Sequence, residues 1–405
     1  MELNEPSAKY LVQAGYKQTE LGTLPVDWEV IQLGNFDPFV TSGSRGWARY
    51  YSDTGSTFLR ITNLSRDTIY PDLSDLRYVS IPANDSEGER TKLVPGDVLI
   101  SITADVGIVG YVSESVPTPA FVNQHIALVR FSPEKLDTKY LSYFLAGSAS
   151  QSALRALADS GAKAGMNLNT VLSVKAALPP TSEEQKAISD ALTDADALIE
   201  SLEQLLAKKH QIKQGVTKEL LTGQRRLPGF SKSWSIVQLS NICQMKSGEP
   251  ITSERIDEHS QYPCYGGNGI RGFTDRFTHS GSHVLVGRQG ALCGNVAFVG
   301  GKFFASEHAV VVTSSVGSDI CWLGYVLTSL ELNQYSESSA QPGLAVSRLL
   351  TLEVLAPDAL EQAAIATILS DMDTEITALE ARLTKARQLK QGMAQALLTG
   401  RIRLV

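Results

Sequence analysis

The sequence lacks long apolar runs, paired cysteines and an excess of basic residues, and each absence excludes a class of protein. No stretch reaches the roughly 18–20 apolar residues of a membrane helix, and residues 1–16 lack the apolar core of a signal peptide. The four cysteines lie in the second half of the chain and form no C-x-x-C pair, so we interpret them as unreactive thiols of a protein in a reducing compartment. We therefore expect a cytoplasmic protein with no membrane partner and no metal site.

The charge balance excludes a uniformly basic surface. The formal net charge is −7 at pH 7, whereas simple nucleic-acid-binding domains are strongly basic. Local basic patches remain compatible with this value, so bulk charge alone does not decide the function.

A long internal repeat organises the chain. Residues 178–227 recur as residues 355–404 at a constant offset of 177, and roughly half of the aligned positions are identical. The identical pairs include Glu184/Glu361, Gln185/Gln362, Lys213/Lys390, Gln214/Gln391 and the closing Leu-Leu-Thr-Gly.

Both copies of the repeat have the pattern of a long helix that needs a helical partner. Apolar residues alternate at spacings of four and three, for example at Ile188, Leu192, Ala195, Ile199, Leu202 and Leu206. Thr181-x-x-Glu184 and Asp358-x-x-Glu361 predict capping boxes at the starts, and Gly223 and Gly400 predict the stops. About 40 residues would form a rod of roughly 60 Å.

The charges predict how the two rods pair. Each copy is acidic in its first half and basic in its second half. An antiparallel pair brings opposite charges together, whereas a parallel pair brings like charges together, so we expect the antiparallel arrangement. Two solvated charged faces without pairing are the alternative.

A β-rich domain precedes each rod, and the two domains are more distantly related to each other. Both contain a glycine-bounded apolar strand, and both have an aromatic-led segment with a histidine, at Phe121–His125 and Phe304–His308. The loops between these anchors differ, as expected of one scaffold that reads two different targets.

These motifs resemble type I restriction–modification specificity subunits. The repeated helices that end in Leu-Leu-Thr-Gly, preceded by Pro-x-x-x-Glu-Gln, look like the conserved regions of that family. Tyr265-Gly-Gly-Asn-Gly-Ile, Val284-Leu-Val-Gly-Arg-Gln-Gly and Cys293-Gly-Asn resemble one variant of its target-recognition domain. Phe58-Leu-Arg-Ile-Thr-Asn, Pro95-Gly-Asp-Val-Leu and Val122-Asn-Gln resemble another.

The resemblance implies that each domain reads one half of a split target on double-stranded DNA. The rods would set the spacing of the halves and dock two methyltransferase (modification) subunits, and restriction (translocase and nuclease) subunits would join a complete system. The chain itself is expected to be non-catalytic and to need no cofactor.

Catalytic motifs are missing from the sequence. There is no Asn-Pro-Pro-Tyr/Phe, no Walker motif and no nuclease motif after Pro71-Asp72. Gly267-x-Gly269-x-x-Gly272 matches the dinucleotide fingerprint, but the residues after it lack a helical period, so a turn-rich loop is the preferred interpretation.

Side chains with forked donors and acceptors on loops are the candidates for reading base edges. In the first domain they are Ser44, Arg45, Trp47, Arg60, Asn63, Asn123, Gln124 and Lys163, and in the second Lys246, Tyr265, Asn268, Arg271, Arg288, Gln289 and His308. Candidate partner-binding residues on the rods are Ile199, Leu202, Leu206, Lys213, Ile376, Leu379, Leu383 and Lys390.

The predicted fold is α+β, with two β-rich target-recognition domains related by a pseudo-twofold axis and separated by an antiparallel coiled coil. The predicted segments are residues 1–178, the helix 179–226, residues 227–355 and the helix 356–405. Two rival functions stay open, namely a specificity subunit of a stand-alone methyltransferase and a coiled-coil scaffold that does not bind DNA.

Overall fold

We describe a computed structural model of the chain over residues 14–82, 85–132, 136–157, 165–290, 292–336 and 343–404. The chain forms two compact units, one of Met1–Ser201 with Leu383–Val405 and the other of Leu202–Arg382. Because each long helix contributes to both units, this grouping differs from the predicted segmentation along the chain. Among the described residues, no helix is both long enough and apolar enough to cross a membrane.

The domain of the first unit consists of short strands and short helices. Its strands are β1 (Tyr16–Thr19), β2 (Gly22–Pro25), β3 (Glu29–Gln32), β4 (Phe39–Ser42), β5 (Tyr51–Ser52), β6 (Ser56–Leu59), β7 (Arg77–Val79), β8 (Val98–Ser101), β9 (Val109–Tyr111), β10 (Ala120–Val122), β11 (Ile126–Arg130) and β12 (Lys175–Leu178). Its helices are α1 (Ser86–Thr91), α2 (Thr138–Ala146), α3 (Ser148–Ala156) and α4 (Leu168–Leu172), with 3₁₀ turns at Leu33–Phe36, Arg45–Tyr50 and Ile61–Asn63.

Two four-stranded sheets form the frame of this domain. One is antiparallel with the order β4-β11-β8-β9, and the other has the order β10-β6-β7-β5 with β10 parallel to β6. Strand β11 is central because Ile126, Ala127, Leu128 and Val129 are all buried, as expected for a strand covered on both faces. The pairs β1-β2 and β12-β3 complete the domain.

The long helix α5 (Ser182–Leu221) follows, and then the second domain. Its strands are β13 (Ser235–Gln238), β14 (Cys243–Ser247), β15 (Tyr262–Gly266), β16 (Gly269–Thr274), β17 (His279–Ser280), β18 (His283–Gly287), β19 (Val296–Val299), β20 (Lys302–Ala305), β21 (Ala309–Ser314) and β22 (Glu353–Ala356). Its helices are α6 (Leu239–Ile242), α7 (Ile320–Ser329) and α8 (Val346–Leu350), with 3₁₀ turns at Ser253–Arg255 and Leu332–Tyr335, and the chain continues into α9 (Ala359–Leu397).

The second domain repeats the frame of the first. Its sheets have the orders β14-β21-β18-β19 and β16-β15-β20-β17, and again one pair, β15 with β20, is parallel. The remaining pairs of both sheets are antiparallel. The first of these sheets matches β4-β11-β8-β9 strand for strand, and β20, β15 and β16 of the second match β10, β6 and β7. The fourth strands differ, because β17 pairs with β20 whereas β5 pairs with β7. The duplicated frame that the sequence predicted is therefore confirmed for seven of the eight strands in each pair of sheets.

Each unit buries part of both long helices in the core of its own domain. Ile188 and Leu192 of α5 and Leu397 of α9 belong to the first core. Leu220 of α5 belongs to the second core, with Ile365 and Leu369 of α9. Each rod therefore begins in the core of the domain that precedes it.

Identical polar bonds fix the start of each rod to its domain. Gln185 Oε1 accepts from the amide of Asp137 over 2.9 Å, and Gln362 Oε1 accepts from the amide of Asp319 over 2.9 Å. Asp196 of α5 accepts from Tyr143, and Asp373 of α9 from Tyr325, each over 2.7 Å. These bonds explain why the glutamine and the aspartate recur at the same places in both copies of the repeat.

Helix ends agree with the predicted caps, with one correction. Gly223 and Gly400 have φ of 70° and 65°, as stop residues require. Thr181 and Asp358 accept from the amides of Glu184 and Glu361, which is half of a capping box. The carboxylates do not complete the box, because each binds an arginine, Arg403 or Arg226, which offers charge-assisted hydrogen bonds.

The two rods run antiparallel within each unit, as predicted. In the first unit Asp196 of α5 pairs with Lys390 of α9. In the second unit Lys213 pairs with Asp373, and Lys209 pairs with Glu375 over 2.6 Å. The acidic half of each rod therefore faces the basic half of the other.

Candidate nucleic-acid interface

Four segments of the second domain meet at one edge of its sheets. They are Ser247–Gly248 at the end of β14, Gly266–Gly267 at the end of β15, Gly287–Gln289 at the end of β18, and Ala305–His308, which leads from the end of β20 to β21. Three backbone bonds join them, namely Gly248 N to Ala309 O (3.0 Å), Ser306 N to Tyr265 O (2.8 Å) and Arg288 N to His308 O (2.9 Å). The ends of four strands are thus held together as one surface.

Glycine is required where these segments approach one another. A Cβ atom at Gly248 would lie 2.1 Å from the carbonyl oxygen of Ala305, and one at Gly287 would lie 2.1 Å from that of Gly267. Any side chain at these positions would force the segments apart, so Gly248 and Gly287 allow the neighbouring segments to lie in direct contact.

The side chains on this edge are polar. The Nη1 group of Arg288 donates to Ser247 Oγ over 3.1 Å. Gln289 Oε1 lies 3.0 Å from His308 Nδ1, and His308 Nε2 lies 3.2 Å from Glu307 Oε1. Among the described residues, Ser306 Oγ and Glu307 Oε2 are buried without a hydrogen-bond partner. These two atoms are enclosed, whereas the exposed Gln289 and the half-buried His308 can form hydrogen bonds to a polar ligand.

Two neighbouring groups stay protonated at neutral pH. Burial raises the pKa of the Tyr265 hydroxyl, and burial also raises the pKa of the Cys264 thiol. Tyr265 packs edge-on against Phe303 with ring centroids 5.8 Å apart. The phenol therefore stays neutral, and its hydroxyl can both donate and accept.

The first domain builds the same edge from equivalent backbone bonds. Ile102 N donates to His125 O over 2.9 Å and Asn123 N donates to Leu59 O over 3.1 Å, as Arg288 and Ser306 do in the second domain. The third bond differs in its acceptor, because Gly43 N donates to Asn123 O over 3.2 Å, whereas Gly248 N donates to Ala309 O. A Cβ at Gly43 would lie 2.4 Å from the carbonyl oxygen of Val122, so Gly43 corresponds to Gly248.

A further pair of bonds extends the match between the two edges. Met166 N donates to Ile102 O over 2.8 Å, and Leu344 N donates to Arg288 O over 2.9 Å. Thr103 bridges to Gly165 as Gln289 bridges to Gly343. The backbone is therefore common to both edges, while Ile102 and Thr103 stand where the second domain has Arg288 and Gln289.

Three candidate base readers of the first domain are corrected by the structure. Trp47 is 2% exposed and packs on Phe58 and Phe121, Asn63 is 2% exposed, and Asn123 is 6% exposed. Trp47 donates to Glu87 over 3.2 Å, and Asn63 donates to the carbonyl of Asp72 over 2.9 Å. Because these side chains are buried and bonded within the domain, they support the loops and do not reach base edges.

The other candidates of the first domain differ in side-chain exposure and in their hydrogen-bond partners within the chain. Arg45 is exposed at the start of a 3₁₀ turn, and Ser44 caps that turn by accepting from Gly46. Gln124 is half-buried and contacts His125 Nε2 over 2.9 Å. Arg60 is bound to Asp75 over 3.1 Å, which satisfies its charge internally. Lys163 lies outside the described residues.

In the second domain the candidates fall in two groups. Tyr265, Arg288, Gln289 and His308 lie on the edge defined above. Lys246 is exposed on β14 beside Ser247, while Asn268 and Arg271 are exposed on the β15–β16 hairpin. Gly267 lies in the turn of this hairpin, and Gly269 and Gly272 lie in strand β16, so the glycine fingerprint leads into a strand and not into a helix N-terminus.

Ser247, which accepts a hydrogen bond from Arg288, is not among the candidates predicted from the sequence. A signal was present, because Ser42-Gly43 and Ser247-Gly248 end equivalent strands of the two frames. The hydrogen bond itself spans 41 residues, so no local pattern revealed it.

The predicted partner-binding residues also need correction. Leu202, Ile376 and Leu383 are 5%, 6% and 7% exposed, and Ile199, Leu206 and Leu379 are half-buried, so these residues pack within the chain itself. Lys213 and Lys390 are engaged in ion pairs with Asp373 and Asp196. The accessible apolar residues of α5 are instead Leu198, Leu205 and Ile212, which are 47%, 39% and 43% exposed.

Comparisons with known proteins agree with this architecture. A family model described as a type I restriction modification DNA specificity domain matches residues 25–211 and again residues 231–389. The chain is 44% identical over 161 residues to the type I restriction enzyme EcoprrI specificity subunit of Escherichia coli, covering 39% of each protein. It is 27% identical over 246 residues to the putative type I restriction enzyme MjaX specificity subunit of Methanocaldococcus jannaschii, covering 58% of this chain and 56% of that protein.

These matches span about two fifths and just over half of the relatives' own lengths. A solved structure extends the similarity in fold. The type I restriction-modification system S subunit from M. genitalium superposes with a TM-score of 0.67 at 14% identity, covering 91% of this chain and 96% of that one.

Proposed function

The chain belongs to the type I restriction modification DNA specificity family, and from this premise we propose that it is the DNA-reading specificity subunit of a restriction–modification complex. Each domain reads one half of a split target on double-stranded DNA. The observation that carries this proposal is the pair of equivalent edges, whose backbones match and whose side chains differ. A common backbone with different polar side chains suits two readers of different sequences, because side chains specify bases and the frame positions them.

We propose that the chain performs no chemistry itself. The edges carry groups that donate and accept hydrogen bonds, and methyl transfer and cleavage belong to partner subunits. The rods hold the two readers at a set spacing, which fixes the number of unread base pairs between the halves.

Methyltransferase subunits dock on the accessible apolar face of α5. Leu198, Leu205 and Ile212 recur every seven residues and are exposed, and Leu389 of α9, which is 60% exposed, occupies the position of Ile212 in the repeat. An exposed heptad stripe of this kind suits packing against helices of a partner.

Selection from random duplexes tests the reading function. The chain is purified with its methyltransferase subunits, incubated with a randomised duplex library, and the bound DNA is sequenced. We expect enrichment of two short fixed motifs separated by a constant number of unspecified base pairs. A bound pool no different from the input library would refute the proposal.

Co-purification tests the docking surface. The double change Leu205→Glu and Ile212→Glu should abolish retention of the methyltransferase subunits, while Leu360→Glu, at a 74% exposed leucine of α9 outside the stripe, should retain them. Equal retention by both variants would show that the stripe is not the docking face.

A further inference from the structure

Arg288 has an unusual electrostatic environment for a half-buried arginine. Its guanidinium is held by the hydroxyl of Ser247 at 3.1 Å, and no carboxylate of the described residues forms an ion pair with it. By contrast, the half-buried Arg130 binds Asp97 over 2.7 Å, and Arg60 binds Asp75. A cation that is partly desolvated without a counter-charge is costly to the free protein and gains most from external acceptors.

The backbone of Arg288 is fixed from both sides. Its amide donates to His308 O over 2.9 Å, and its carbonyl accepts from Leu344 N over 2.9 Å. The Arg288 side chain therefore extends from a backbone that is fixed at the end of a strand. A side chain that reads a base must meet the base edge in one geometry, which such a fixed backbone provides.

The equivalent position of the first domain lacks such a group. Ile102 makes the same two backbone bonds, but its side chain is apolar and 7% exposed. A hydrogen-bond reader at this backbone position is therefore present in the second domain alone.

This inference rests on the proposed function. We propose that Arg288 reads a guanine in the half-site of the second domain, and that Ser247 is its positioning residue. Guanine presents two acceptors, N7 and O6, in the major groove, and an arginine fork donates to both. Ser247 engages one Nη1 proton of Arg288, which leaves donors of the fork for the base.

Base-by-base competition tests the assignment. The complex with its methyltransferase subunits is measured on its target duplex and on duplexes in which each base pair of the second half-site is replaced. Arg288→Ala should lose the preference for guanine at one position by about 5- to 150-fold, with the first half-site unchanged. Arg288→Lys should keep most of the affinity and lose the preference, because an ammonium group cannot form the paired contact.

The positioning role needs a separate readout. Ser247→Ala should weaken the preference at that same position by about 2- to 10-fold, and Ser247→Thr should restore it because it retains the hydroxyl. Arg348→Ala removes an exposed arginine of α8 in the same domain and should leave every position unchanged.

The outcomes separate this inference from the proposed function. Wild-type complex that shows no base preference anywhere would refute the proposed function itself. A clear wild-type preference that Arg288→Ala leaves intact, or that it weakens equally in both half-sites, would overturn the assignment to Arg288. A loss with Ser247→Ala that Ser247→Thr does not rescue would overturn the role of Ser247.

Discussion

Arg403 Nη2 donates to Glu184 Oε2 over 2.7 Å, which joins the segment after α9 to the start of α5 within the first unit. The carboxylate of Glu184 is almost fully buried, and it raises the pKa of the Arg403 guanidinium through the hydrogen bond. In the second unit Arg226 binds Glu361 in the same way, with Nη2 to Oε2 at 2.7 Å. Each unit therefore contains one such ion pair, Glu184 with Arg403 or Glu361 with Arg226, and each pair is called a clasp below.

Removal of one partner of the clasp should destabilise the first unit. Glu184→Ala leaves the Arg403 charge without its buried partner, and we expect the free energy of unfolding to fall by about 2–4 kcal/mol, measured by urea denaturation. The control is Glu20→Ala, which removes an exposed partner of Lys175 and should have little effect. Equal losses in the two variants would contradict the assigned role of the clasp.

Arg403 of this clasp also binds Asp27, and this second contact predicts a dependence of stability on pH. Arg403 hydrogen-bonds Asp27 and lowers the pKa of that carboxyl below its ordinary value of 3.8. A carboxyl with a lowered folded-state pKa stabilises the fold above the unfolded pKa, and this contribution is lost as the pH falls through the folded pKa.

Asp27→Asn therefore tests the sign of this effect. The Tm difference between wild type and Asp27→Asn should be constant from pH 5 to 7 and should shrink as the pH falls below 3.8. A difference that grows in acid would show that the ion pair does not account for the lowered pKa.

Neighbouring residues of one turn should separate a structural role from contact with DNA. Trp47→Ala removes a buried ring from the cluster with Phe58 and Phe121 and should cost about 3–5 kcal/mol of stability. Arg45→Ala, at an exposed position two residues earlier, should leave stability unchanged and weaken DNA binding. Thermal unfolding and DNA titration of both variants check this contrast, and a stable Trp47→Ala variant would refute the assigned core role.

The sequence was sufficient for the features that depend on local periodicity. The heptads predicted the two rods, which the structure confirms as α5 and α9, and Gly223 and Gly400 end them with positive φ. The charge polarity predicted the antiparallel pairing, which the contacts of Lys213 with Asp373 and of Lys390 with Asp196 confirm. Long-range features were missed for a physical reason. Residue type indicates what Trp47 or Asn123 could bind, but burial depends on strands that are distant along the chain.

The paired contacts along the rods also decide how spacing must be tested. Lengthening one rod alone would break the register of the other, because Asp196 meets Lys390 and Lys209 meets Glu375. One heptad inserted after Gln204 and one after Ala381, which are equivalent positions of the repeat, keeps both seams in phase.

We expect the double insertion to lengthen the spacer and leave both half-sites the same. Seven residues add about 10 Å of helix, which corresponds to about three base pairs. Sequencing of DNA selected by the variant complex measures the spacer, and a single-rod insertion serves as the control that should lose binding. An active double variant with the original spacer would show that the rods do not set the distance.

We propose that two separate domains of this chain read two separate halves of one DNA target. Methylome sequencing of cells that produce the chain together with its methyltransferase subunits measures this most directly, with cells that produce the methyltransferase subunits alone as the reference. We expect methylation at a motif of two short specified parts separated by a fixed number of unspecified bases, and no methylation of that motif in cells without the chain. A single uninterrupted motif, or the same methylation in cells that lack the chain, would contradict it.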